Sequence, residues 1–594
     1  MELSRPDPVG GLPSQPPEIL PPFIFGLPPE LLAEIVAAVA AIEVPRAPIT
    51  DYERFHLESS QLQSRATFKS IFGEGTLGWV RLTHVCRGWR SLICEGMPLL
   101  WAQHIGCFGR ADAVETMLRR AGNEVSLSVR SGHCGAAISD FPWETVEMPV
   151  PSWSALECTI FRSRIRSLVV VDTRNGLGNG TEFESLASIL HELTCLQELG
   201  VHCITVDDER LRDDLPPCPN TCIIFAPTLR SLRFTNHFIS WNASGVTRLS
   251  IVLDAIGLPW DVFHDALTSL SSIEELELDY ALPANFSLSR SVQEYTTYPL
   301  PKLGYLSVRD LDDYALGFLQ QLQLPDSARL DLRLLCTDSW YSARFELAVQ
   351  KVLARARSLP SRTIVVAATF GEDEKSAVIY NFAQLRFYEG ASLIAGGTAD
   401  LPHLAVAVED LAESEKNSWE GLAEVRVTLN RHFPDVWHNV QSLDFSVPFW
   451  RCRYEIGQML SRASSLRQLR VIDLFEGVER NHDFETDWPG SVLFPTSLFR
   501  DPAPSLDLLW IIQTSNWRVN HLRQFCTAVA RSLADAIDAS RLHHRHEDAN
   551  VAKRAITLLR LDFVHQYDTS WTPDEEDSTI FFEKLAESVE VHFL

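Results

Sequence analysis

Two hydrophobic rhythms divide the chain. From Leu27 onward the apolar residues keep a helical period. Leu31, Leu32, Ile35, Val36 and Val39 fall at i, i+1, i+4, i+5 and i+8, one apolar face of an amphipathic helix. Pro28 and Pro29 suit its first turn, Glu30 suits its positive end, and Pro45 and Pro48 lie beyond its expected stop. Residues 44–76 break the rhythm, with a weak helix at 54–72 and a loop marked by Gly73, Gly75 and Gly78. Val85, Trp89, Leu92 and Ile93 then share a second helical face, which Gly96 and Pro98 end, and Trp101 follows as a large apolar plug. Residues 27–105 therefore read as a module of about three helices with an insertion at 44–76. Such a module is too small to bury much core by itself. The rest of the chain or a partner has to supply the missing buried area.

Beyond residue 110 the rhythm becomes apolar-x-x-Leu-x-apolar. It recurs at 165–170, 196–201, 229–234, 246–251, 273–278, 303–308, 440–445, 466–471, 506–511 and 556–561. With 45% apolar residues, that spacing alone arises by chance in about 9% of windows. Two features add weight. The intervening positions are mostly polar, as in a half-buried strand, and helical patterns precede the copies at 196, 273, 466 and 556. A helix and then a short strand, repeated every 25–35 residues or so, predicts an α/β chain in which 110–594 forms an irregular leucine-rich-repeat solenoid. Residues 335–439 fit least well. They carry a helix at 345–358, a β-branched strand at 363–369 and a further strand at 425–429, read either as degenerate repeats with insertions or as a separate α/β domain.

Composition narrows the setting. The chain has 594 residues, 52 Lys and Arg against 78 Asp and Glu, and a net charge of −26, which disfavours bulk binding to phosphate backbones. No run approaches the roughly 18 apolar residues of a membrane span. The short apolar run 35–42 follows Glu34 and makes a poor signal peptide. Twelve scattered Cys suit reduced thiols in the cytosol or nucleus. In that setting the glycosylation-type triplets at Asn179, Asn242 and Asn285 read as chance. Residues 1–26, rich in Pro, are expected to form an extended or disordered leader.

Candidate chemistry is sparse. There is no phosphate loop and no Gly-x-Ser-x-Gly elbow. Cys218 with Cys222, and His543, His544 and His546, have the closest metal-type spacings, but the first lacks a second pair and the second sits in a polar stretch. The acidic runs 207–209 and 574–577 read as solvated faces rather than paired catalytic carboxylates. Arg81, Arg87 and Arg90 form a basic patch that an acidic partner or plain solvent would satisfy, and Trp79, Trp89 and Trp101 read as packing. No cofactor is expected, and no catalytic residue is assigned.

Two quoted stretches carry a family resemblance. Leu27-Pro28-x-Glu30-Leu31-Leu32-x-x-Ile35 opens the module; Leu77-Gly78-Trp79-Val80, His84-Val85-Cys86-Arg87-x-Trp89-Arg90 and Pro98-x-x-Trp101 close it. Together they resemble the F-box-like domains abundant in mushroom-forming fungi. In similar proteins a helix, a strand and irregular leucine-rich repeats follow. The resemblance implies a non-catalytic, intracellular subunit that docks on an SKP1-like adaptor, and through it a cullin, while the repeats hold a substrate protein for ubiquitination. The positions it would assign to SKP1 are Leu27, Pro28, Leu31, Ile35, Val85, Cys86 and Trp89. A compact F-box has no insertion like 44–76. Loop closure costs little extra for a longer loop, so the insertion is tolerable if it loops out. The alternatives are an interaction scaffold whose F-box-like helices merely cap the repeats, or, more remotely, an enzyme within 335–439.

Overall fold

The computed structural model describes residues 27–45, 76–108, 111–132, 162–172, 190–203 except 191, 223–253, 257–288 and 297–335. Beyond these it describes parts of 347–354, 363–372, 379–388, 402–410, 431–448, 460–472, 506–513, 556–563 and 586–593. The fold is mixed α/β, with a large, mostly parallel sheet and no closed barrel. The chain divides into two compact units, Met1–Leu168 and Val169–Leu594.

In the first unit, α1 (Pro29–Ile42) starts behind Pro28 and carries Glu30 in its first turn. A 3-10 helix, Gly78–His84, leads to α2 (Arg87–Gly96), and α3 (Pro98–Ala102) begins on Pro98, which breaks one helix and opens the next. Val85 is not part of the second helical face. Cys86 is extended and caps α2, its Sγ accepting the Trp89 N–H at 3.5 Å, so Val85 stays outside the helix. Trp79, Trp89, Ile93, Leu100 and Trp101 fill the interior with Val36 and Ala40 of α1.

The two ends of the insertion meet. Gly78 has φ +52°, and its backbone lies so close to 43–45 that an added Cβ would sit 2.4 Å from the Glu43 carbonyl oxygen. Trp79 N–H donates to that same oxygen at 2.9 Å, and Arg81 pairs with the Glu43 carboxylate. Residues 46–75 lie outside the described residues, as does the expected helix at 54–72.

The module continues directly into α4 (Ala111–Ala121), β1 (Leu127–Gly132) and the start of β2 (Ile165–Asp172). Ile105 N–H donates to Ser128 O, and Arg130 N–H donates back to Ile105 O at 2.8 Å. Gly106, at φ +83°, makes that approach possible, because a Cβ there would lie 2.0 Å from Arg130 O. Arg164 donates to the Gly122 and Val125 carbonyls just past the end of α4, where a cation suits the negative helix terminus. These bonds explain why the unit runs on to Leu168.

In the second unit all ten motif copies coincide with strands (β2 included). In chain order these are β3 (Glu198–Cys203), β4 (Ile223–Ile224), β5 (Ser231–Thr235), β6 (Ser240–Trp241), β7 (Arg248–Val252), α5 (Trp260–Thr268) and β8 (Glu275–Asp279). After them come β9 (Tyr298–Pro299), β10 (Tyr305–Leu311), α6 (Asp312–Gln321), β11 (Leu322–Gln323), β12 (Arg329–Leu335), β13 (Thr363–Glu372), β14 (Ile379–Tyr388) and β15 (Leu404–Asp410). The chain then runs through α7 (Asp435–His438), β16 (Ser442–Pro448), β17 (Gln468–Ile472), β18 (Leu506–Gln513), β19 (Ile556–Phe563) and β20 (Ala586–Phe593). From β3 the sheet order is β3-β5-β7-β8-β10-β12-β15-β14-β13-β16-β17-β18-β19-β20. The strands pair in parallel except where β14 runs antiparallel between β15 and β13. β13, β14 and β15 thus continue the sheet. The strand expected at 425–429 lies outside the described residues.

Register explains the motif. Leu199, Leu232, Leu249, Leu276, Leu306, Leu330 and Leu404 are aligned across successive strands, and so are Val201, Phe234, Ile251, Leu278, Val308, Leu332 and Val406. All fourteen are buried. Leu443, Leu469, Leu509 and Leu559 repeat the pattern in the later block. The motif's second residue supplies a shared acceptor. Gln197 O receives the N–H groups of Arg230 and Ser231, Arg230 O those of Thr247 and Arg248, Thr247 O those of Glu274 and Glu275, and Glu274 O those of Gly304 and Tyr305. Gln441 O and Arg467 O do the same for the copies at 466 and 506.

Two substitutions test this packing. Gly78→Val forces a β-branched side chain into a positive φ against backbone. It is expected to destabilise the first unit by roughly 1–3 kcal/mol, measured as lost amide protection in α1 and α2. Leu232→Ala removes a fully buried side chain and should cost roughly 2–5 kcal/mol, read as increased hydrogen exchange in β3, β5 and β7 with β17–β19 unchanged.

Candidate functional site

Alpha-helical geometry turns α1 into a helix with two apolar faces. At 100° per residue, Leu31, Ile35 and Ile42 lie within about 40° of one another, whereas Val36 and Ala40 lie about 140–180° away from Leu31. Val36 and Ala40 face the interior. Leu31 is 45% exposed, Ile35 37% and Ile42 81%. Leu77, Val85 and Leu99 are also more than half exposed. Six of the nine large apolar side chains exposed among the described residues therefore belong to the small helical module. The Gly78 contact with the Glu43 and Val44 backbone brings Leu77 close to the end of α1.

The seven residues assigned from the resemblance fall into two groups. Leu27 is half-buried, and Pro28, Leu31, Ile35 and Val85 are exposed. Cys86, half-buried, caps α2 through its Sγ, and Trp89 is buried with Ile93 in the core. Ile42, Leu77 and Leu99 extend the exposed set; Ile42 was readable as the eleventh residue after Leu31, three helical turns along one face.

Charge sharpens the contrast. Residues 76–132 contain seven Arg against four Asp and Glu, a net of +3, whereas residues 169–594 contain 37 Lys and Arg against 60 Asp and Glu, a net of −23. Arg81, Arg87 and Arg90 are exposed around Val85, with Arg90 Nε donating to Thr83 O at 2.9 Å.

Below this surface the module is held by aromatic packing. Trp79 and Trp101 meet edge to face with centroids 4.7 Å apart, the Trp101 Nε1–H donates to Ile93 O at 2.8 Å, and the Arg120 guanidinium lies 4.2 Å from the Trp101 ring centroid. His104 lies 6.0 Å from Trp79, and burial lowers its pKa to about 4. Burial likewise pushes the Cys107 thiol up to about 12, which makes it an inert packing group.

The outward positions of the second unit are polar and largely paired with one another. Arg248 meets Glu275 at 3.3 Å, Ser250 donates to Glu277 at 2.7 Å, and the His202 ring is 2.9 Å from the Thr235 hydroxyl. Further along, Asp444, Arg470, Trp510, Arg560 and Glu590 are aligned across β16–β20. Both guanidinium groups lie over the Trp510 ring, at 4.7 and 4.4 Å. Arg470 bonds Asp444 at 2.8 Å, and the buried Asp562 accepts from Arg560 and from Trp510 Nε1.

Among the described residues no group of three His, Cys, Asp or Glu converges as a metal site. Cys218, Cys222, His543, His544, His546 and the acidic runs 207–209 and 574–577 lie outside the described residues. Among the described residues no helix is long and apolar enough to cross a membrane. No protein-family model matches the chain, and no curated protein matches it.

His104 yields a pH test. Its pKa is about 4 when folded and 6.5 when exposed, so the unfolded state binds the proton more readily between those values. The stability that depends on neutral His104 is whole above pH 6.5 and is lost as pH falls towards 4. Amide protection of 98–108 in the intact chain should drop from pH 7 to pH 4.5, and His104→Gln should flatten that dependence.

Proposed function

We propose that this chain is the substrate-recruiting, non-catalytic subunit of an SKP1–cullin–F-box ubiquitin ligase. The supporting observation is the exposed apolar set Leu31, Ile35, Ile42, Leu77, Val85 and Leu99 on a helical module whose own core is already filled by Val36, Trp79, Trp89 and Trp101. A stable helix has no need of a second apolar stripe facing water. Burying it on an SKP1-like adaptor accounts for it. The adaptor-facing residues are Leu27, Pro28, Leu31, Ile35 and Val85, joined by Ile42 and Leu77. Arg81, Arg87 and Arg90, exposed around Val85, favour an adaptor with carboxylates at that edge of its apolar groove. The repeats then hold a substrate protein on the outward polar positions of the strands, as in an irregular leucine-rich-repeat solenoid.

A second reading is an interaction scaffold in which the F-box-like helices are an end cap and have no ligase role. The reciprocal bonds of Ile105 with Ser128 and Arg130 favour it, because they attach the module directly to β1.

Co-purification separates the two readings. Leu31→Asp with Ile35→Asp places charge on the exposed stripe and leaves Val36 and Ala40 in place. SKP1-like adaptor recovered with the full chain should fall about tenfold or more, with the thermal midpoint unchanged. Leu27→Ala with Pro28→Ala should weaken recovery in the same direction. Undiminished recovery in both variants, or no adaptor bound to the unaltered chain, would favour the cap.

A further inference from the structure

We propose that Asp310 is a proton-sensitive fastener for residues 280–288, the turn that follows β8. Asp310 is the penultimate residue of β10 and is 3% exposed. Its Oδ2 accepts the Leu282 N–H at 2.9 Å, which ties the turn to the sheet, and its Oδ1 accepts the Leu311 N–H at 2.8 Å. Asp313 holds the far end of the same turn, its carboxylate accepting the Leu288 N–H at 2.8 Å and the Ser287 hydroxyl.

The turn between these two carboxylates is tightly constrained. Tyr280 has φ +52°, an uncommon conformation for a bulky residue, and its N–H donates to Arg309 O at 2.8 Å. Gly257 approaches so closely that a Cβ there would lie 2.0 Å from Leu282 O. The charge that acts on Asp310 is that of Asp279 on β8; Arg309 precedes it on β10, and Asp312 and Asp313 open α6. Arg309 stands 4.0 Å from Asp279.

Burial pushes the Asp310 pKa from 3.8 up to about 7; its two backbone donors pull the other way, and the charge of Asp279 pushes further up. Opening the turn returns the carboxyl to water and to its ordinary value. The closed turn therefore binds a proton near neutrality and the open turn does not. The added stability is present at low pH and is lost as pH rises from 3.8 through about 7. Between pH 6 and pH 8 the opening equilibrium should rise about tenfold.

Hydrogen exchange of the full chain, corrected for intrinsic chemical rates, reads this directly in peptides spanning 280–288. Protection should be about tenfold lower at pH 8 than at pH 6, and Asp310→Asn should remove that step. Asp279→Asn removes a like charge and should move the midpoint to lower pH, which serves as the test if Asp310→Asn does not fold. Equal protection at pH 6 and pH 8 in the unaltered chain would overturn the proposal. So would a step that survives Asp310→Asn, or a midpoint that Asp279→Asn does not move.

Discussion

A shared acceptor at the start of a strand, found at six of the strand pairings, anchors the architecture of the second unit. One carbonyl, that of the motif's second residue, receives two consecutive N–H donors from the following strand, which fixes where pairing begins. In a strand, a slip of one residue would send every apolar side chain to the opposite face. With the start pinned, the two buried columns follow, Leu199 to Leu404 and Val201 to Val406. The constraint acts on the strand and leaves the connection free. Copies that start at 229, 246, 273 and 303, at spacings of 17, 27 and 30 residues, still stack in register. That is why the repeat is regular in space and irregular in sequence.

The same logic accounts for the antiparallel interruption. β14 enters between β15 and β13, yet Leu385 still pairs with Val406, and Val366 with Leu385 and Phe445. Antiparallel pairing keeps the two-residue alternation, so a hairpin can be inserted without moving either apolar column to the wrong face. The buried Leu404, Val406, Leu443 and Phe445 on either side show the core continuing past it.

Much of this was legible in the chain because a half-buried strand writes its period directly into the sequence. All ten motif copies lie at strands. The strands not anticipated had weaker signatures. Residues 401–406 fit the motif in full, as Leu401-Pro-His-Leu404-Ala-Val406, but lie in a stretch crowded with competing signals. At 586–591 the first position is only Ala, and ahead of Leu330 the equivalent position is Ser327, so neither stands out. The motif also extends upstream: Leu193, Leu270, Leu300 and Trp437 accept the N–H of the motif's first residue three positions on and are themselves buried. The exposed apolar face of α1 was only partly legible. Periodicity marked Leu31, Leu32, Ile35, Val36 and Val39 as apolar but could not divide them between an inner and an outer face, because that division depends on where α2 packs. Cys86 and Trp89 show that a distinctive local pattern can also mark a helix cap and a core anchor.

The two units solve the problem of meeting another molecule with different chemistry. On the helical module Leu31, Ile35 and Ile42 are exposed and apolar, so removing them from water would favour association and leave few buried polar groups to satisfy. On the sheet, the outward carboxylates and guanidinium groups already have partners, as in Arg248 with Glu275 and Arg560 with Asp562. A molecule landing there has to replace existing pairs, and each replaced pair costs desolvation that only a well-matched group recovers. Such a surface has little general stickiness and discriminates sharply between partners. On the proposed reading, the exposed apolar stripe would supply affinity for one constant surface, and the self-paired polar face would supply selectivity among many.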